Sequence, residues 1–293
     1  MHQEHFASAL ATRRLEALLA STPPPSRAGR ILVGCPPEEA HTFVPLMLSL
    51  LLRRKGWDVL YLGANLPLQN MDLTIGQTRP DLVVLTAQQL YTAAGLLDMA
   101  HVLSRKGIPI AYGGLVFNRL PSLRAIIPGY YLGATLDNVS ETVAHVMTAP
   151  RPQLAQQAVS PEHQRALEHF RDQRATIDAQ VWRNVENRDV PRQYLASANA
   201  SLGRDILAAL SLGDIDLLSP DLGWVEGLLI NHHPGGNEGL WPYLAAYRDA
   251  ASEHLDQRGD LVVNWLDRVV ETQKERRSTG ANIEQARRPT GQR

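Results

Sequence analysis

Short apolar runs alternate with longer helical stretches through the first half of the chain. The apolar runs, rich in branched or aromatic residues, are 31–33, 59–62, 82–85, 108–112 and 130–132. The helical stretches between and after them are 42–55, 68–77, 92–105, 120–126 and 136–147. Because parallel strands need crossover connections, usually helices, this alternation predicts an α/β domain with helices on both faces of a sheet.

Five strands in this order predict a flavodoxin-like, doubly wound parallel sheet. In such a sheet, ligands bind in the crevice outside the carboxyl ends of the strands. We assign this domain to residues 29–149, preceded by a helical segment, 1–28.

The second half has a different pattern. Residues 150–161 contain three prolines and few apolar residues, which is typical of a linker. From 162 to 270 only helical periodicity is found, in the stretches 162–180, 191–212, 214–230, 240–255 and 261–270. This predicts an all-α domain over 162–270, and the basic, polar segment 271–293 predicts a disordered tail.

Composition excludes several classes of protein. The formal net charge of −1 carries no long single-sign block outside the tail, so direct nucleic-acid binding is not expected. Cys35 is the single cysteine, which rules out an intrachain disulfide and favours a cytoplasmic location. No run of about 18 apolar residues occurs, so we expect no membrane span.

A histidine lies where the first predicted strand passes into the first helix. The segment Gly34-Cys35-Pro36-Pro37-Glu38-Glu39-Ala40-His41 follows an apolar strand, so it places an imidazole at the mouth of the predicted crevice. Glu39 and His41 resemble the Glu-x-His-x-x-Gly signature of cobalamin-binding domains, in particular those of light-responsive MerR-type regulators that bind adenosylcobalamin. The terminal glycine of that signature is Val44 here, followed by Pro45.

Other positions extend the resemblance over residues 29–147. The stretch 46–67, which includes Gly63, looks like the same family. Thr86 stands at the end of the third strand, where the family has a serine or threonine that contacts the buried tail of the cofactor. Gly113 and Gly114 match a diglycine that lets the backbone approach the nucleotide.

The resemblance implies that His41 ligates cobalt from below while the nucleotide tail is buried beside the sheet. It implies that Glu39 either accepts a hydrogen bond from the second ring nitrogen or is a nearby outer group. The alternative is a Rossmann-like scaffold without cofactor, in which His41 caps or satisfies the start of the helix.

Near the N-terminus, Glu4 and His5 resemble a Glu-His pair on the last helix of the bundle that covers cobalamin in those regulators. The tryptophan of that motif and the DNA-binding domain would precede residue 1, so we do not expect this chain to be a repressor itself. Alternatively, Glu4 and His5 are solvated residues at a helix start.

Large aromatic and histidine side chains concentrate in the helical half. They are Trp182, Tyr194, Trp224, His232, His233, Trp241, Tyr243, Tyr247, His254 and Trp265. Helical spacing of several of them is typical of a packed core. The order of the two domains also resembles photocobilins, in which a cobalamin domain is coupled to a biliverdin-binding helical region, and this resemblance implies biliverdin as a second chromophore. The helical half could instead cover the corrin.

We therefore expect a cobalamin-dependent light sensor, not an enzyme, that signals by a change in assembly with a second copy or a partner signalling protein. Two alternatives stay open: a corrinoid carrier or methyltransferase module, and a cofactor-free interaction scaffold. The sequence contains no phosphate loop, no zinc-ligand spacing and no Gly-x-Ser-x-Gly elbow.

Overall fold

The computed structural model describes residues 2–148, 158–185, 192–222 and 240–287. Side chains are described for 6–148, 158–185, 195–218 and 242–275. The chain divides into two compact units, Met1–Ala158 and Val159–Arg293. The division falls inside the segment predicted as a linker, of which residues 150–157 lie outside the described part.

The first unit is built on a five-stranded parallel sheet in the order β2-β1-β3-β4-β5. The strands are β1 (Arg30–Gly34), β2 (Asp58–Gly63), β3 (Leu82–Thr86), β4 (Ile110–Gly113) and β5 (Tyr130–Tyr131). This is the flavodoxin-like strand order, so the predicted fold class is confirmed. All of β3, and all of β1 after its first residue, is buried, as expected of central parallel strands covered on both faces.

Seven helices surround this sheet in the described residues. They are α1 (His2–Ala20), α2 (Phe43–Arg54), α3 (Met71–Thr78), α4 (Leu90–Arg105), α5 (Leu115–Arg119), α6 (Leu123–Ile126) and α7 (Val139–Thr148), with a 3-10 turn at Leu68–Asn70 before α3. The helix predicted at 120–126 begins only at Leu123, as α6, and the short helix α5 precedes the predicted stretch. Pro121 lies between them, and a proline disfavours helical backbone at the preceding residue.

The core of the first unit lies between the sheet and α2 and α7. Ile31, Val33 and Val84 pack there with Leu48 and Val143. A smaller cluster of Leu19, Leu46 and Leu50 holds α1 against α2. Packing on both sides of α2 fixes the position of its N-terminal end, at the carboxyl edge of the sheet.

The second unit is helical wherever it is described. Its helices are α8 (Pro161–Val185), α9 (Arg192–Leu212), α10 (Leu240–His254) and α11 (Asp260–Arg287). Helix α8 packs against both α9 and α10, and α10 also packs against α11. Phe170, Ile177, Leu244 and Trp265 form part of the buried interior.

Two boundaries of the second unit differ from the predicted ones. The stretch predicted as a helix at 214–230 begins as a 3-10 helix, Ile215–Leu222, and the rest of that stretch lies outside the described residues. Helix α11 continues to Arg287, so the segment predicted as a disordered tail from 271 is helical that far. Its apolar periodicity stops at Val270, but the glutamate, lysine, arginine and glutamine residues that follow are good helix formers.

Candidate functional site

The loop between β1 and α2 is tied to the loop after β2. The backbone N–H of Glu38 donates to Asn65 Oδ1 at 2.8 Å, and the N–H of Asn65 donates to the Glu39 carbonyl at 3.0 Å. Glu38 and Asn65 both have positive φ, 63° and 51°. This conformation is costly for a non-glycine residue, and the paired hydrogen bonds offset part of that cost.

That loop places the carboxylate of Glu39 in the interior, where the residue is 1% exposed. Oε1 accepts from the backbone N–H of His41 at 2.9 Å and lies 2.6 Å from His41 Nδ1. Oε2 accepts from the backbone N–H of Gln88 at 2.7 Å and from the Thr92 hydroxyl at 2.8 Å. A buried carboxylate is costly unless it is well hydrogen-bonded, and these four contacts supply the compensation.

The contact with Glu39 determines which nitrogen of His41 is free. Because a carboxylate only accepts hydrogen bonds, Nδ1 donates to it, and in the neutral ring Nε2 then carries the lone pair. The His41 side chain is 63% exposed, so this lone pair can reach a ligand. Helix α2 begins at Phe43 with Thr42 at its N-cap, so the imidazole does not occupy the capping position. An imidazole held in one tautomer by an acidic partner is the usual arrangement of a metal-ligating histidine.

Cys35 is completely buried behind this loop. Its Sγ lies 3.8 Å from Thr86 Oγ1 and 3.9 Å from the His41 carbonyl oxygen. Burial raises the pKa of the Cys35 thiol to about 11, with the charge of Glu39 adding to the rise and the bond to Thr86 opposing it. The thiol is therefore protonated at neutral pH, which makes it a poor nucleophile.

A cavity of about 250 Å³ opens at the carboxyl ends of β3 and β4. Four residues singled out in the sequence lie together on its wall: Val44, Thr86, Gly113 and Gly114. The rest of the lining is Leu48, Gln88, Leu115, Asn118, Leu132, Gly133, Ala134, Thr135, Leu136 and Val139. Val44 is three residues after His41, so the imidazole and the cavity are adjacent along the start of α2.

The two glycines of the diglycine do different things. Gly114 has φ +123°, and a Cβ there would lie 2.0 Å from the carbonyl oxygen of Ala87. Gly114 is therefore required by the close approach of the loop after β3. A Cβ at Gly113 would meet only Leu132, at 3.9 Å, so this glycine leaves room at the cavity wall.

The other predicted site residues are Glu39 and His41, described above, together with Gly63, Glu4 and His5. Gly63 ends β2 with φ +82° and is absent from the cavity lining; its carbonyl accepts from the Cys35 N–H at 3.0 Å. Glu4 and His5 belong to α1, but their side chains lie outside the described residues.

Sequence reasoning missed Gln88, Thr92 and Asn118. Gln88 and Thr92 bind the Glu39 carboxylate, and Gln88 and Asn118 line the cavity. One signal was present for Gln88, since it follows Thr86 by two residues at the carboxyl end of β3, where ligand contacts collect in sheets of this type.

Within the residues that the structure describes, no three or more histidine, cysteine, aspartate or glutamate side chains gather as a metal-binding group. No helix in the same residues is both long and apolar enough to cross a membrane.

Comparison with known proteins finds sequence relatives that match part of the chain. No protein-family model matches the chain. The HTH-type transcriptional repressor CarA of Myxococcus xanthus is 32% identical over 152 residues, which are 51% of this chain and 51% of CarA. The HTH-type transcriptional repressor CarH of the same organism is 31% identical over 115 residues, 38% of each chain. The chain thus spans about half the length of the curated relatives it matches, or less.

Two solved structures are similar over part of the chain. One is a cobalamin-binding protein from Desulfitobacterium hafniense, with a TM-score of 0.37 and 12% identity over 40% of this chain and 58% of that one. The other is the methanol:cobalamin methyltransferase complex MtaBC from Methanosarcina barkeri, with a TM-score of 0.38 and 20% identity over 45% of this chain and 51% of that one. The sequence relatives confirm the resemblance carried by the motifs to the extent that about half of this chain is homologous to part of CarA, and a shorter part to CarH.

Proposed function

We propose that the first unit binds a cobalamin, with His41 as the axial ligand to cobalt, and that the chain is a light sensor and not an enzyme. The observation that carries this proposal is the pairing of His41 with Glu39. The buried, fully hydrogen-bonded carboxylate of Glu39 accepts a hydrogen bond from Nδ1 of the exposed His41 ring. This leaves the lone pair of Nε2 to bind a metal.

The cavity supports the same proposal. Its wall combines apolar side chains of α2, Val44 and Leu48, with glycine backbone after β4. A narrow apolar slot with a few polar groups suits the tail of a large cofactor whose flat part lies outside the sheet. Thr86 and Gln88 are the polar residues at the end of β3 that would face such a tail.

Bound adenosylcobalamin would supply a cobalt–carbon bond that green light breaks. The part played by the protein is to hold the imidazole, shelter the tail and respond to the change in ligation. Such a response can shift assembly with a second copy or a signalling partner only by as much as the bound cofactor's affinity differs between the two assembly states.

Reconstitution tests the cofactor. The purified chain is mixed with adenosylcobalamin in the dark, freed of excess ligand and examined by absorbance. We expect a bound corrinoid whose spectrum changes in the His41→Ala variant. His145→Ala, which removes an exposed histidine of α7, is the matched control and should leave the spectrum unchanged.

A chain that stays colourless would favour the cofactor-free scaffold. A spectrum unaffected by His41→Ala would exclude His41 as the ligand.

Illumination tests the sensor. Size-exclusion chromatography before and after green light should show a change in assembly that the dark control lacks. Transfer of a methyl group from a partner methyltransferase to the bound corrinoid, without any response to light, would favour the carrier alternative.

CarA and CarH are named as HTH-type repressors, so a DNA mobility-shift assay checks the prediction that this chain does not bind nucleic acid itself.

Biliverdin in the second unit is a separate proposal. It is supported by the hydroxyl groups of Tyr243 and Tyr247, which are buried without hydrogen-bond partners, as expected where a polar group has still to bind. The nearly complete burial of Trp265, Tyr243 and Tyr247 instead favours the packed-core alternative for these side chains, and Trp224, His232 and His233 lie outside the described residues. A far-red absorbance band after addition of biliverdin is the expected result, and its absence would remove this chromophore.

A further inference from the structure

Among the described residues of the cavity wall, Gln88 has a buried side-chain atom without a hydrogen-bond partner. Its side-chain Oε1 accepts from the backbone N–H of Leu115 at 3.0 Å. Because a backbone N–H can only donate, this bond identifies the accepting atom as the oxygen and leaves Nε2 as the amide nitrogen. Nε2 is buried and has no hydrogen-bond partner.

A buried amide nitrogen without a partner is unusual in a folded protein. Buried polar groups are nearly always hydrogen-bonded, because an unsatisfied donor keeps the full cost of leaving water. The side chain cannot turn its amide to seek another partner without losing the bond from Leu115. Gln88 also lines the cavity, so a ligand bound there would lie beside its side chain.

We propose that Gln88 is a specificity-determining residue of this cavity, whose Nε2 donates a hydrogen bond to an acceptor oxygen on the nucleotide tail of the bound corrinoid. The inference rests on the proposed function and adds a requirement to it. A ligand that fills the cavity with an apolar group, or leaves it empty, keeps the amide unsatisfied.

The same residue connects the cavity to the metal ligand. The backbone N–H of Gln88 donates to Glu39 Oε2, and Glu39 Oε1 holds Nδ1 of His41. The side chain of Gln88 therefore contacts the tail while its backbone holds the carboxylate that orients the imidazole. Occupation of the cavity favours the orientation of His41 that suits ligation.

Binding of two corrinoids to substituted proteins tests this inference. Cobalamin carries the nucleotide tail and cobinamide lacks it, so isothermal titration is run with both. In Gln88→Glu the bond from Leu115 is kept, but the donor is replaced by an acceptor. In Gln88→Met the side chain has neither the acceptor for the Leu115 N–H nor the donor for the ligand.

We expect each variant to bind cobalamin about 10-fold or more weakly than the unsubstituted chain. Cobinamide should bind all three proteins alike. Gln69→Glu, the same change at an exposed position of the 3-10 turn, is the control and should not alter either affinity. Thermal unfolding without ligand checks that each variant is folded.

Unchanged affinity for cobalamin in both Gln88 variants would overturn the inference, and so would an equal loss for the two corrinoids. Failure of the unsubstituted chain to bind any corrinoid would instead refute the proposed function. The absorbance of the bound cobalt adds a second readout: the Gln88 variants should show a smaller proportion of imidazole-ligated cobalamin at saturation.

Discussion

Oε1 of Glu39 lies 2.6 Å from Nδ1 of His41, and the two side chains differ sharply in exposure. The Glu39 side chain is 1% exposed and the His41 side chain 63% exposed. The carboxylate is thus part of the folded interior, while the ring it orients is open to a ligand. This division lets the core of the domain determine the tautomer of a surface residue.

Replacement of Glu39 by glutamine should destabilise the first unit even without cofactor. An amide presents hydrogens where the carboxylate presented acceptors, so at least one of the bonds from His41, Gln88 and Thr92 is lost in a buried place. We expect the free energy of unfolding to fall by about 1–3 kcal/mol, measured by urea denaturation. Glu141→Gln on the exposed face of α7 is the control, and an equally stable Glu39→Gln protein would contradict the hydrogen-bond network.

Gly114→Ala should damage the fold. The added Cβ would lie 2.0 Å from the Ala87 carbonyl oxygen, and the backbone is at φ +123°, so steric overlap and strain act together. We expect a loss of at least about 2 kcal/mol in the free energy of unfolding. Gly63→Ala, at φ +82° with open space around it, should cost only the strain of about 1 kcal/mol. Equal losses at the two glycines would show that contact with Ala87 is unimportant.

Gly113→Val should spare the fold and impair binding. Its Cβ position is 3.9 Å from the nearest side chain, Leu132, which also lines the cavity. A valine can therefore be accommodated by the protein but takes up space that the tail needs. The expected result is an unchanged melting temperature without ligand and a large loss of cobalamin binding in the same titration. Undiminished binding would mean that the tail lies elsewhere.

The Cys35 thiol should resist modification in the folded protein. Burial raises its pKa to about 11 from the ordinary 9.0. A folded-state pKa above the unfolded one means that the group stabilises the fold below pH 9, and that this contribution is lost as the pH rises towards 11. Ellman's reagent should react with the thiol at neutral pH only after denaturant is added. Fast labelling of the folded chain would show that the thiol is accessible.

Tyr247→Phe should leave the second unit at least as stable as before. The Tyr247 hydroxyl is fully buried without a partner, and its removal relieves a desolvation cost of about 1–3 kcal/mol. Tyr112→Phe is the opposite case, since the Tyr112 hydroxyl donates to the Arg124 carbonyl at 3.3 Å, and it should lower stability by about 1 kcal/mol. Destabilisation by Tyr247→Phe in denaturant titrations would reveal that a bound group satisfies the hydroxyl.

Local patterns were enough to predict the α/β class and the placement of the imidazole. The apolar runs that became β1 and β3 are recognisable because a strand buried on both faces must be apolar throughout. The position of His41 follows from chain order alone, since the residues after a strand in such a sheet lie at its carboxyl edge. The helix boundary at Pro121 and the extension of α11 were not predicted, because apolar periodicity does not report where polar helix formers continue a helix or where a proline divides one.

The sequence by itself determined the class of fold, the edge of the sheet where ligands gather and the presence of one well-placed histidine. The tertiary structure alone decided that Glu39 meets Gln88 and Thr92, which are 49 and 53 residues away, and that Gln88 has an amide nitrogen left to donate. The physical reason is the separation along the chain between the residues that interact. Periodicity is a property of neighbouring residues, whereas the partners of a buried polar atom depend on how separate loops are packed together at one end of the sheet.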